Sequence, residues 1–324
     1  MFLTGRKQRV VIRGQSSAWF PVLSGVPQGS VLGPLLFVLY IDDIDSCFLR
    51  STVLKYADDV KVISALTSEN SGQFLQCDLD RLVEWSRKWL LSVNLGKCCV
   101  LHFGSKNKRK SLFLDGHLVS TPRSECDLGV DIVENLKPSQ QCLKAAASAQ
   151  RILNLIRLSF QHLDVLSLSQ IYKAIVRPRL EYCIPAWSPY LLKDICVLEK
   201  VQRRATRIIP HLRTLSYHDR LSHFQLISLK TRRLLFDLVT VYKILNGLIN
   251  LSPRNFFTLN SDSTTRGHSL KLKVDFSHLN CRRFFFSQRV VAWWNKLPQD
   301  CVAAPSIKVF KVKVKSFLLS DGLW

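Results

Sequence analysis

The sequence predicts an α+β fold, with strands and helices in mixed order over residues 1–136 and a mainly helical region from there to the end. Three observations predict it. In the first part, short apolar runs broken by tight-turn residues alternate with an amphipathic helix, an order that suits a mixed sheet with helices packed on it. Past Pro138 the strand signals almost stop and four long helical stretches follow. Finally, a chain of 324 residues that is 47% hydrophobic and 22% charged is globular rather than disordered, with room for about two domains.

Taken in order, residues 7–13 (KQRVVIR) alternate enough to make a strand, and residues 25–30 (GVPQGS) make a loop. Gly33-Pro34 opens a helix over residues 35–44, with proline tolerated in the first turn. Residues 55–66 read as strand, turn and strand around Asp58-Asp59. Residues 73–91 form an amphipathic helix, with Leu75, Leu79, Leu82, Trp85 and Trp89 near helical spacing. Residues 98–103 make a strand, and residues 111–120 a hairpin turned by Asp115-Gly116. Helices follow over residues 140–160, 166–177 (closed by Pro178), 191–209 (closed by Pro210) and 229–245. The last of these carries Leu235, Leu238, Val239 and Tyr242 on one face and stops at Asn246-Gly247. Residues 250–267 are polar and loop-like, and aromatics return in Phe284-Phe285-Phe286 and Trp293-Trp294. Packing in a core is the expected role of that cluster, with base stacking as the alternative.

Several classes are excluded. The longest apolar stretch, residues 31–41, is broken by Gly33 and Pro34 and falls short of the roughly 18–20 apolar residues of a membrane span, so no membrane partner is expected. The opening MFLTGRKQRVVIRG has no apolar core behind its charges, which argues against a signal peptide and reads as a strand-like piece from the middle of a domain. The ten cysteines include no Cys-x-x-Cys pair and no Cys/His spacing that suits zinc. Reduced thiols in a cytoplasmic or nuclear protein, not a secreted one, are the plain expectation.

Charge is unevenly distributed. Residues 1–136 carry 16 Lys/Arg against 14 Asp/Glu, whereas residues 137–324 carry 30 against 10. Such an excess repels itself unless a polyanion screens it, and nucleic acid is the expected screen. In this half Lys200, Arg203, Arg204 and Arg207 recur at helical spacing, opposite Ile195, Leu198, Ala205 and Ile208. The stripe suits phosphate contacts; a solvated helix face is the plain alternative.

The densest chemistry lies in Tyr56-Ala57-Asp58-Asp59, with Val53-Leu54 before it and an apolar run after it. Two adjacent carboxylates at a hairpin tip offer the hard oxygen donors that Mg²⁺ prefers. An Asp-Asp pair alone is more often a solvated turn. The frame gives this one specificity, because it follows Gly25-Val26-Pro27-Gln28-Gly29-Ser30. Asp42, Asp43 and Asp45 are not assigned to a metal, since they fall at the end of the predicted helix, where its dipole disfavours clustered carboxylates.

With these residues in view, the chain resembles the reverse transcriptase of non-LTR (LINE-type) retrotransposons of the jockey-like sort. SGVPQGSVLGPLLFVLYIDDI resembles that family's loop and helix supporting template and incoming nucleotide, and YADD its metal-binding motif. Leu95-Gly96-Lys97 resembles the next motif, where a lysine lies near the triphosphate, and Leu128-Gly129-Val130 resembles the primer grip. The family usually has an aromatic before that Leu-Gly; this chain has Asp127. FFFSQRVVAWWNKLP with APSIKVFKVKVKSF resembles the family's C-terminal segment, so the likeness covers nearly the whole chain.

The resemblance implies a partial polymerase palm in residues 1–136, a helical thumb-like basic region in 137–255 and a basic, aromatic C-terminal region in 256–324. It implies two Mg²⁺ (or Mn²⁺) ions, with Asp58 as ligand to both and Asp59 ligating weakly or orienting. Lys97 would act on the leaving pyrophosphate. Tyr56 would lie by the primer end or the nucleotide, and Pro27, Gln28 and Gly29 would line the nucleotide and template side. Leu128 and Gly129 would grip the primer. RNA template, DNA primer and deoxynucleoside triphosphates are the implied partners. The family completes its metal site with an aspartate well upstream of the Gln-Gly loop, and the 24 residues before Gly25 supply none. The chain alone is therefore expected to be catalytically incomplete. The alternative is a non-enzymatic nucleic-acid-binding remnant of a retroelement.

Overall fold

The computed structural model describes residues 3–67, 70–260 and 267–322. They form two compact units, Met1–Pro122 and Arg123–Trp324. Both mix helices with two-stranded antiparallel sheets, an arrangement compatible with the α+β class.

In the first unit the segment expected as one strand is part of a two-tier hairpin. Lys7–Gln8 pairs with Phe20–Pro21, and Val11–Ile12 pairs with Gln15–Ser16. The inner turn, Arg13-Gly14, has both residues at positive φ (48° and 83°), the geometry that matches strand twist in a two-residue connection. The helix opened by Gly33-Pro34 spans Gly33–Tyr40 and then gives way to a 3-10 helix, Asp42–Cys47, rather than running on to residue 44. The break moves Asp42, Asp43 and Asp45 from an unfavourable helix end to the first turn of a new helix, where carboxylates are favoured.

The helix Ser71–Lys88 buries Leu82 and Trp85 against Ile41, Ile44, Cys47 and Phe48. The hairpin Thr52–Tyr56 and Asp59–Ile63 lays Val53 and Val62, which face each other across the strands, on this core. The second hairpin forms around Asp115-Gly116 as expected, pairing Phe113–Leu114 with His117–Leu118. The strand expected over residues 98–103 is reduced to a single parallel bridge, Cys99 with Ser120. The Val100 N–H donates to the Ser120 carbonyl at 2.8 Å beside that bridge, while on the opposite edge of the hairpin the Gln76 amide donates to the Phe113 carbonyl and accepts from its N–H, both at 2.8 Å.

In the second unit, Ser124–Asp127 and Val130–Val133 make a hairpin turned by Leu128-Gly129. Ser139–Ser159 and Leu192–Ala205 pack along small residues of the former, and Cys142, Ala145 and Ala149 are buried in the shared core. The helix expected to close at Pro178 passes through it. Val165–Ile171 continues as a π-helical stretch, Tyr172–Val176, into Arg177–Glu181. Proline removes one N–H and clashes with the carbonyl four residues back, and a shift of the ladder to wider spacing absorbs both effects.

Leu229–Leu245 forms as expected, capped by the Ser228 hydroxyl accepting from the Thr231 N–H. Leu229 joins the first core of this unit, and Leu238, Val239, Val241, Tyr242 and Ile244 join a second. That second core takes up Phe286 and Trp294, so these aromatics of the tail are packing residues. Arg289 locks the tail to the helix through two bonds to Asp237, both 2.8 Å. Residues 261–266 of the expected polar loop lie outside the described residues. No helix among the described residues is long and apolar enough to cross a membrane.

Candidate functional site

Tyr56 and Asp59 are the last paired residues of their hairpin, so Ala57 and Asp58 alone make the turn. Ala57 sits at φ 51°, a region that costs a non-glycine residue about 1 kcal/mol. Asp58 therefore occupies the turn itself, while Asp59 begins the return strand directly opposite Tyr56. Side chains alternate along a strand, so Tyr56 and Asp59 lie on the face opposite to Val53 and Val62 and point away from the core. Tyr56 is 67% exposed, and both aspartates are exposed. Neither carboxylate has a hydrogen bond or ion pair among the described residues.

The hairpin is held from below. Asp78 is 1% exposed on the Ser71–Lys88 helix, and its carboxylate accepts the N–H groups of Leu49 (3.2 Å), Arg50 (3.4 Å) and Ser51 (3.1 Å). It fixes the three residues that lead into the first strand, with Arg81 at 3.2 Å as counter-charge. Sequence reasoning missed this residue. The available signal was an acid interrupting the apolar stripe between Leu75 and Leu82. Lys55 ties the hairpin to the 3-10 helix through Asp45 (3.0 Å) and the Asp42 carbonyl (3.2 Å). Asp43 accepts from the indoles of Trp85 (2.9 Å) and Trp89 (3.1 Å). Asp43 and Asp45 thus have structural partners of their own.

Pro27, Gln28, Gly29 and Ser30 form a tight turn. The Ser30 hydroxyl donates to the Pro27 carbonyl (2.7 Å) and accepts the Gly33 N–H (3.0 Å), tying turn to helix. Gly29 has φ 80°, which a glycine adopts freely. At Gly33 a Cβ would lie 3.0 Å from the Ser30 hydroxyl and 3.2 Å from the Pro27 carbonyl, a tight fit that a larger residue enters only if the turn gives by a few tenths of an ångström. Gln28 and Gly29 are exposed. Lys97 ends a 3-10 turn, Leu95–Lys97, and is exposed. No hydrogen bond or ion pair among the described residues joins Asp58 or Asp59 to Gln28 or Lys97.

In the second unit the Leu128-Gly129 turn has φ 45° and 84°. The Tyr182 hydroxyl donates to the Leu128 carbonyl (2.8 Å), and the Tyr182 ring lies 3.3 Å from where a Gly129 Cβ would stand. From the helix Ser139–Ser159, Lys144 binds Asp131 and the Cys126 sulfur of the same hairpin, and the Asp131 bond above all raises the lysine pKa. Lys200, Arg203 and Arg204 are exposed on Leu192–Ala205, while Arg207 falls past the end of that helix. Arg203 lies over the Tyr217 ring at 4.4 Å, Arg204 donates to Gln150 (3.0 Å), and the Arg207 carbonyl accepts from Arg213 (3.0 Å).

The hairpin tip supplies two hard oxygen donors. One Mg²⁺ held by one or two carboxylates, waters and substrate phosphates suits such a donor set. A two-ion site needs a further carboxylate, and among the described residues no group of three or more His, Cys, Asp or Glu converges to hold an ion. The residues present fit half of such a site.

The family model for reverse transcriptase (RNA-dependent DNA polymerase) matches residues 2–141, which contain the turn, both aspartates, Lys97 and the Leu128-Gly129 hairpin. That segment is of the reverse transcriptase class. The chain is 31% identical over 198 residues to the RNA-directed DNA polymerase from mobile element jockey of Drosophila funebris, covering 57% of this chain and 22% of that protein. It is 29% identical over 219 residues to the probable RNA-directed DNA polymerase from transposon X-element of Drosophila melanogaster, covering 64% and 24%. The corresponding protein of transposon BS from Drosophila melanogaster is 24% identical over 222 residues. The chain is a relative of the reverse transcriptases of jockey-type non-LTR retrotransposons. It spans about a quarter of the length of the curated relatives it matches. No solved structure gives a significant match.

Proposed function

We propose that this chain is part of an RNA-directed DNA polymerase of a mobile element. Residues 1–136 act as part of the palm, 137–255 as a thumb-like region and 256–324 as its C-terminal extension. The observation that carries this reading is the Ala57-Asp58 turn, which presents Asp58 and Asp59 outward at the tip of a hairpin anchored from below. In the reaction a primer 3′ oxygen attacks the α-phosphorus of a deoxynucleoside triphosphate on an RNA template, and pyrophosphate leaves. Mg²⁺ or Mn²⁺, when bound, supplies charge neutralisation and activation of the hydroxyl.

Within this reading Asp58 and Asp59 hold the metal ion. Tyr56, on the face of Asp59, meets the primer end or the nucleotide. The Pro27, Gln28 and Gly29 turn lines the template side, Lys97 meets the pyrophosphate, and Leu128 and Gly129 grip the primer. Lys200, Arg203, Arg204 and Arg207 follow backbone phosphates. The charge excess of residues 137–324 favours a second reading, a nucleic-acid-binding remnant without catalysis.

Two measurements separate the readings. Mn²⁺ binding followed by electron paramagnetic resonance, with and without primer–template, is expected to depend on Asp58 and to vanish in Asp58→Ala. Templated extension by this chain alone is expected to be absent, because the tip provides only two carboxylates. Binding of primer–template with no tip-dependent Mn²⁺ signal would leave the remnant reading in place of the polymerase one.

A further inference from the structure

The last helix, Ile307–Ser320, is amphipathic in an unusual way. Phe310, Val314 and Leu318 are fully buried in the second core of the Arg123–Trp324 unit. Lys308, Lys311 and Lys315 stand on the solvent side at spacings of three and four residues, which makes one row along the helix. None of the three has a carboxylate partner among the described residues. Lys313 is turned aside, donating to the Asp300 carbonyl at 2.9 Å.

At its Lys315 end this row meets further cations from two other elements. Arg177, on the helix that passes Pro178, and Arg232, on Leu229–Leu245, share one carboxylate, Glu181. Arg177 lies 3.6 Å from Glu181 Oε2, and the Arg232 Nη2 lies 2.8 Å from the same oxygen. Lys173, half-buried in the π-helical stretch, has no carboxylate partner among the described residues. Burial, and then the fields of Arg177, Lys315 and Arg232, push the Lys173 pKa down. Two arginines thus share one acid, and Lys173 and Lys315 stand close enough to feel each other's charge. A π-helical turn is rare and is often found at functional sites.

We propose that Lys308, Lys311 and Lys315, together with Lys173, Arg177 and Arg232, form a second phosphate-binding track that holds the backbone of a nucleic acid along the C-terminal helix. The track is separate from the Lys200 stripe on Leu192–Ala205. Its choice of polyanion rests on the nucleic-acid reading above, but it does not require catalysis. A basic amphipathic helix elsewhere can signal a membrane surface or a peptide-binding groove. Here the apolar face is already buried in the protein's own core, so neither lipid nor groove can take it. The solvent side presents these lysines with a single large exposed apolar side chain, Val312, and a run of phosphates complements the lysines without sequence preference.

The test is fluorescence anisotropy of labelled single-stranded RNA and of a DNA duplex over a salt series. The protein is compared with a Lys308→Gln/Lys311→Gln/Lys315→Gln variant. Losing three phosphate contacts lowers the slope of log K against log salt by about 2.7 on duplex and about 2.1 on single strands. At roughly 0.1 M salt the same loss weakens duplex binding by about 10²-fold or more. The triple Lys→Arg variant should bind like the parent. Unchanged slope and affinity in the Gln variant would sink the proposal.

A second measurement needs no variant. Acetylation of Lys308, Lys311 and Lys315 should slow when nucleic acid is bound, and unslowed acetylation overturns the track. Protection by vesicles of anionic phospholipid, with none by RNA or DNA, also overturns it. Asp58→Ala reports on the polymerase reading alone, because it leaves this salt slope untouched.

Discussion

Replacing Asp78 by alanine tests how the aspartate hairpin is held. The carboxylate is buried and accepts three backbone N–H groups at 3.1, 3.2 and 3.4 Å. Alanine leaves all three without an acceptor. A lost partner costs about 1–3 kcal/mol per group in the interior, and Leu49 and Arg50 can reach water, so the low end applies to them. The longest of the three bonds contributes least. Release of the buried acid from its desolvation cost offsets part of the loss. Arg81 is 43% exposed, so its screened attraction adds little. The net expectation is a loss of about 2–3 kcal/mol, or about 30- to 150-fold in local opening. Hydrogen exchange read by mass spectrometry is the assay. Protection should fall across residues 49–63 and stay unchanged in Ser139–Ser159. Asp78→Asn, which keeps one acceptor oxygen, should fall in between. Undiminished protection at residues 49–51 in Asp78→Ala would refute the argument that this carboxylate fixes the hairpin's entry.

Three further outcomes are expected. Ala57→Val forces a β-branched residue to positive φ and should destabilise the hairpin by about 1–2 kcal/mol, whereas Ala57→Gly should be neutral or slightly stabilising; exchange of residues 52–63 distinguishes them. Arg289→Met strands the buried Asp237 carboxylate and should cost about 3–5 kcal/mol near neutral pH. Burial already raises the Asp237 pKa, against the lowering effect of Arg289. Without the arginine the folded state binds its proton more tightly than the unfolded state does, so the cost should shrink as pH falls; urea titrations at two pH values check this. His268 is buried and its pKa is lowered, first by burial and then by Lys271, against the bond to the Trp294 carbonyl. The unfolded chain takes up that proton below about pH 6.5 and the folded chain resists it. Stability of the second unit should therefore fall as pH drops through that value, by at most about 1.4 kcal/mol per unit. His268→Gln, which can still donate to Trp294, should flatten the slope, and an identical slope would discount His268.

Local chemistry was legible in the sequence; long-range pairing was not. Leu229–Leu245 could be read to its boundaries because Ser228 caps one end and Gly247, at φ 64°, stops the other. The Asp115-Gly116 hairpin was readable for the same reason. The strand expected over residues 98–103 depends on how far it pairs with the hairpin edge at Ser120, and no periodicity announces that the pairing stops at one bridge. At Pro178 the rule that proline ends a helix lost to packing, since Tyr172, Val176 and Leu180 all belong to one buried core. For the candidate site, the turn could be located from Tyr56-Ala57-Asp58-Asp59 itself. Which of the two aspartates occupies the turn depended on the strand register, and the sequence left that open. Tyr182 carried no signal at all, because its meeting with Leu128 and Gly129 spans 54 residues.

The helix Leu229–Leu245 feeds two cores at once, and this makes the second unit fragile to interruption. A premature stop codon between Leu245 and Phe310 would remove downstream members of the core that holds Leu238, Val241 and Ile244, all fully buried here. The damage would not stay downstream, since the same helix seats Leu229 in the other core and carries Arg232 onto Glu181. Truncation there would therefore be felt in both cores rather than in the second alone.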